Sequence, residues 1–110
     1  MNALHNSSIC PIVTALESLG DRWTLLVLRD LSLNPARRFQ DLKDSLKGCA
    51  PNTLSARLKS LEQQGLIERR LYDQHPPRYE YILTKRGRAT APVLEAMRSY
   101  GVLLQEKLGS

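Results

Sequence analysis

The chain has 110 residues, 42% apolar and 25% charged, with a formal charge of +5. That fits one small soluble domain, leaves little room for a second, and gives no compositional sign of disorder. No apolar run reaches the roughly 18 residues of a membrane span, no basic start leads into an apolar stretch as in a secretory leader, and two cysteines with two distant histidines give neither a disulfide scaffold nor metal spacing. A cytoplasmic chain without metal, cofactor or membrane contact is therefore expected. No acid/base pair or glycine-rich phosphate loop marks it as an enzyme. The charge is uneven. Residues 1–35 carry two cations against three acids, residues 36–84 nine against six, and residues 85–110 five against two. A polyanionic partner would meet the middle and end of the chain, not its start.

Met1–Ser8 is polar and is expected to fray. A first helix then starts at Pro11, whose missing N–H costs nothing at the first helical position; Ile12, Val13, Leu16 and Leu19 follow at helical spacing, and Gly20 ends it. Asp21 is placed to cap a second helix, Arg22–Leu31, in which Leu25, Leu26, Val27 and Leu28 are consecutive. Such a helix is apolar all round and belongs at the centre, with Trp23 buried beside it. Asn34-Pro35 stops it. Phe39, Leu42 and Leu46 mark a third helix, Lys47-Gly48 a turn, and Pro51 the start of a fourth, whose Leu54, Leu58 and Leu61 form one stripe. Ala50 is a poor cap, while Cys49 is placed to pack against Leu54 as a staple. The period then switches to two. Leu66–Tyr72 and Tyr79–Thr84 read as strands around the polar, proline-stiffened loop 73–78. Thr84 caps a last helix that Pro92 should kink or restart. From Val93 to Leu108 this helix carries more apolar residues than a terminal helix on a small core needs.

Helix, short turn, helix and hairpin is the order of a winged helix-turn-helix, a mainly α fold with a small β-hairpin. With its leucines inward, the fourth helix turns Asn52, Thr53, Ser55, Ala56, Arg57, Lys59 and Ser60 toward solvent, with no acid before Glu62. Short polar side chains reach base edges in a major groove, and Arg or Lys reads guanine or phosphate; Arg57 is the expected base reader and Lys59 a phosphate contact. Pro51 leaves N-terminal amides for a phosphate. Arg69, Arg70, His75 and Arg78 give the hairpin a second cationic set, able to track a backbone or enter a minor groove. A solvated hairpin, or a winged helix used for protein contact, would need no acid-free helix face.

The run Cys10-Pro11, Gly20-Asp21-Arg22-Trp23-Thr24-Leu25-Leu26-Val27-Leu28-Arg29-Asp30-Leu31, Arg38-Phe39, Ala50-Pro51-Asn52-Thr53-Leu54-Ser55-Ala56-Arg57-Leu58, Gly65-Leu66-Ile67, Pro76-Pro77-Arg78-Tyr79-Glu80-Tyr81 and Leu83-Thr84 resembles HxlR-type transcriptional regulators, relatives of the MarR group. Cys49 departs from it, an aliphatic residue being more usual there. The resemblance implies one bacterial winged-helix domain over residues 1–110, with an N-terminal helix at 8–20, the helix-turn-helix at 38–64, the wing at 66–84 and a C-terminal dimerisation helix at 85–108. It adds Arg38 to the double-stranded DNA contacts. It also implies a homodimer formed through the two terminal helices, with Val13, Leu16, Leu94, Met97, Tyr100 and Leu104 as interface candidates, although some of these could close the monomer core instead. Such a dimer would offer two recognition helices to half-sites roughly 34 Å apart on a pseudo-palindrome.

Cys10 lies at a helix N-terminus, where positive partial charge favours a thiolate able to react with an oxidant or electrophile. Some relatives sense through a cysteine at this place. A small apolar plug against the partner is the plainer role for Cys10, as packing is for Cys49. The expected function is a sequence-specific regulator, more readily a repressor, since occupying a promoter needs few parts. A thiol enzyme at Cys10 lacks any base but His5.

Overall fold

Pro11 occupies the first position of α1 (Pro11–Leu19), and the Cys10 carbonyl accepts the amides of Val13 at 2.9 Å and Thr14 at 3.2 Å. The computed structural model describes residues 9–109, with Leu108 and Gly109 as backbone alone. The expectations for Met1–Ser8, for His5 and for the Leu108 side chain lie outside the described residues.

Asp21 caps α2 (Arg22–Leu33), its Oδ2 accepting the Thr24 amide at 3.0 Å. This helix runs two residues past Leu31 because Asn34, not Pro35, ends it: the Asn34 amide and Nδ2 both donate to the Asp30 carbonyl, at 3.1 and 2.9 Å. Val27 and Leu28 are fully buried, so α2 is central. It is not apolar all round, since Arg22, Arg29 and Ser32 face solvent, and Trp23 is only half-buried, with the Arg22 guanidinium 4.9 Å from its ring centroid.

In α3 (Phe39–Ser45), Asp41 accepts the Arg38 amide at 2.9 Å, which satisfies an otherwise orphaned donor. Gly48 makes the turn with φ of 91°, a left-handed conformation other residues resist. The chain then enters α4 (Pro51–Gln63), whose Leu54, Leu58 and Leu61 lie wholly within the core beside Leu28, Leu42 and Leu46. Buried Cys49 joins that core, and Ala50 offers no side-chain cap.

The strands β1 (Ile67–Gln74) and β2 (Pro77–Leu83) pair antiparallel from Ile67↔Leu83 to Gln74↔Pro77, with a bulge between Leu71 and Asp73. The expected loop 73–78 thus shrinks to a turn at His75-Pro76, joined by a cis peptide, because Asp73 and Gln74 pair directly with Arg78 and Pro77. Arg37 adds an isolated bridge on the other edge of β2, exchanging both backbone hydrogen bonds with Tyr81 at 3.0 and 2.7 Å. The hairpin packs against α2 and α4, which gives two strands the support they lack alone. After Thr84, whose hydroxyl accepts the Gly87 amide at 3.0 Å, the last segment is two helices, α5 (Lys85–Arg88) and α6 (Ala91–Gly109), so Pro92 marks a restart. Gly87 lies so close to the Leu66 carbonyl that a Cβ there would collide with it.

Candidate nucleic-acid interface

Three leucines three or four residues apart fix the rotation of α4. At about 3.6 residues per turn the opposite side carries Asn52, Ser55, Ala56, Lys59 and Gln63, and all five are exposed. The described chain does not occlude this stripe. Pro51 stands exposed at its start, and Thr53 is half-buried on its edge.

Arg57 differs from its expected place. It lies on the flank toward α2, with Nε 2.9 Å from Asp21 Oδ2, and both side chains are 37% exposed. The guanidinium faces the carboxylate that caps α2 and so helps hold α4 on α2. On the same flank Gln64 accepts the Ser18 hydroxyl at 2.5 Å and ties α4 to α1. Burial pushes the Asp21 carboxyl up, but the Thr24 amide and then Arg57 outweigh it and hold the group below its ordinary 3.8. Burial, reinforced by Asp21 and opposed by Arg57, pushes the neighbouring Cys49 thiol up, so it stays protonated and inert at neutral pH.

The other flank faces the wing across a groove of about 460 Å³ lined by Ser55, Lys59, Glu62, Arg69 and Tyr81. Arg69 pairs with Glu62 at 3.1 Å, and its guanidinium lies 5.2 Å from the Tyr79 ring centroid. Arg70 grips Glu80 through two nitrogens at 3.1 and 2.8 Å. Arg69 therefore ties the wing to α4, while Arg70 braces the hairpin from within. Arg38, at the start of α3, sits 4.1 Å from the Tyr72 ring centroid and joins the helix-turn-helix to the hairpin. Lys59 and Arg78 are exposed and make no ion pair among the described residues, as is true of exposed His75 at the tip. The sequence reading missed Tyr72 and Tyr79 as platforms, because Arg38 reaches Tyr72 from outside the strands and Arg69 meets Tyr79 on the diagonal of the pairing.

Away from this face, Cys10 is exposed at the N-terminus of α1. Val13 and Leu16 on α1, and Met97, Tyr100 and Leu104 on α6, are at least 40% exposed. Leu94 instead packs half-buried against the monomer core. Ile12 on α1, at 69%, is a large exposed side chain the sequence reading left out of the interface. No group of three metal-ligating side chains occurs among the described residues, and no helix there is long and apolar enough to cross a membrane.

Residues 18–107 match the HxlR-like helix-turn-helix family. An uncharacterized HTH-type transcriptional regulator of Synechocystis is 47% identical over 93 residues, covering 84% of this chain and 68% of its own length. The crystal structure of a MarR-family regulator from Enterococcus faecalis V583 superposes with a TM-score of 0.78 at 28% identity, covering 99% of this chain and 98% of that one. The redox regulator HypR in its reduced form superposes with a TM-score of 0.82 at 26% identity, covering 91% and 98%.

Proposed function

The chain belongs to the HxlR-like helix-turn-helix family of transcriptional regulators, and from that premise we propose that it binds a pseudo-palindromic DNA operator in the bacterial cytoplasm as a homodimer and represses the adjacent promoter. The carrying observation is the exposed stripe Asn52, Ser55, Ala56 and Lys59, free of acids and held outward by buried Leu54, Leu58 and Leu61. Asn52 and Ser55 meet base edges, while Lys59 and, from the wing, Arg78 meet phosphates. Arg38, Arg69 and Arg70 shape the surface that the backbone follows, and His75 lies at the tip. Apolar α1 and α6 supply the partner's seat. Exposed Cys10 at the head of α1 responds to an oxidant or electrophile, a reading supported by the likeness to HypR.

The test is binding to genomic duplexes at rising salt. Affinity should fall steeply between about 50 and 200 mM through counterion release. Lys59→Ala and Arg78→Ala should weaken all sequences alike and each reduce the salt slope by about one. Asn52→Ala should instead relax sequence preference. Salt-insensitive binding, or indifference to all three substitutions, would overturn the reading.

A further inference from the structure

Asp30 is a charged residue buried in the core, 4% exposed, and three parts of the chain converge on it. Its Oδ1 accepts the Ser45 hydroxyl of α3 at 3.0 Å and Arg29 at 3.3 Å. Its Oδ2 faces Arg37 Nη2 at 3.7 Å without a hydrogen bond, and Arg37 Nε is likewise buried without a partner, among the described residues. The Asp30 carbonyl receives both Asn34 donors, which fixes where the link to Arg37 departs. Arg37 then grips Tyr81 of β2 through two backbone hydrogen bonds. This polar path runs from α2 to the base of the wing.

A buried carboxylate whose cation is incompletely satisfied is a poor source of stability, because desolvation offsets the attraction. Each unsatisfied buried atom calls for another reason, and ion pairs of this kind can serve conformational specificity instead. We propose that Asp30 is a positioning residue: through Arg37 it sets the angle of the wing relative to α4, and so determines which part of the duplex Arg78 reaches. The proposal rests on the DNA-binding reading above.

A double-mutant cycle on the full chain with a duplex operator tests it. Asp30→Asn keeps the side-chain shape and an acceptor for Ser45 but removes the charge facing Arg37. It should weaken binding roughly tenfold, the scale of coupling within one network. The salt slope should fall by about one, as for a lost phosphate contact. In a hydroxyl-radical footprint the wing-side protection should fade while protection under α4 stays. Combined with Arg78→Ala it should cost no more than Arg78→Ala alone. Additive losses, or a weakening with unchanged salt slope and footprint, overturn the proposal. Should Asp30→Asn fail to fold, Arg37→Gln, partly exposed and still bridged to Tyr81 through its backbone, must show the same non-additivity or the proposal fails. Insensitivity to Asp30→Asn while Lys59→Ala still weakens binding overturns this proposal alone; insensitivity to Lys59→Ala as well overturns the DNA-binding reading and this one with it.

Discussion

Asp21 joins two roles in one side chain, capping α2 through Thr24 and holding Arg57 of α4. Its carboxyl is held below the ordinary range, so the stability it contributes is complete above the unfolded value near 3.8 and disappears as pH falls through the folded one. Urea midpoints measured from pH 6 downward should show an acid limb that Asp21→Asn flattens. At neutral pH Arg57→Ala should lower stability by less than about 1 kcal/mol, because the pair is over a third exposed. The exposure of Asn52 and Lys59 was readable from the sequence because three leucines fix the helix rotation. Arg57 was not, because its partner lies 36 residues away and no local period reports such a pair. Cys10 gives a further prediction at this scale. Hypochlorite, a quinone or an aldehyde should change the operator affinity of the native protein and leave that of Cys10→Ser unaltered; equal responses would remove Cys10 as the sensor.

Gly87 shows how one short helix is seated. α5 meets the Leu66 carbonyl where the chain leaves α4 for β1, with no room for a Cβ. Gly87→Ala should therefore cost about 1–3 kcal/mol, the range for forcing an extra methyl into a packed site, read as a lower melting temperature with helix content retained. Helices α1, α3 and α4 were legible because their apolar residues recur at three and four, and α2 because of its unbroken apolar run after a capping Asp21. The length of the hairpin was not. Asp73, Gln74, Pro77 and Arg78 are exposed on both faces, so pairing there leaves no alternation in the sequence. The break between α5 and α6 was signalled by Pro92, though the exposed residues that follow give no sharp boundary.

The whole molecule leaves two apolar helix faces open, with Ile12, Val13 and Leu16 on α1 and Met97, Tyr100 and Leu104 on α6. Its radius of gyration is 15.9 Å, against about 13 Å for a compact chain of this size. An extended monomer with unpartnered apolar helices fits a subunit better than a finished globule. Leu16→Asp should give a monomer in sedimentation equilibrium and bind a single half-site more weakly than the native protein binds the full operator, while far-ultraviolet circular dichroism stays helical. Surplus apolar residues in α6 were visible in the sequence. That Leu94 turns inward while Met97 and Tyr100 turn outward was not, because helical period gives a face but not which neighbour covers it.

The rungs between Arg37 and Tyr81 moor the hairpin near its root, and Arg78 stands three residues farther along the same strand. At about 3.3 Å per residue that is a lever arm on the order of 10 Å. A tilt of a few degrees at the fulcrum swings the cation by a sizeable fraction of an ångström before its own flexible side chain is counted. Modest rearrangements in the body are thereby magnified at the extremity, where a charge either finds its counterpart or misses it.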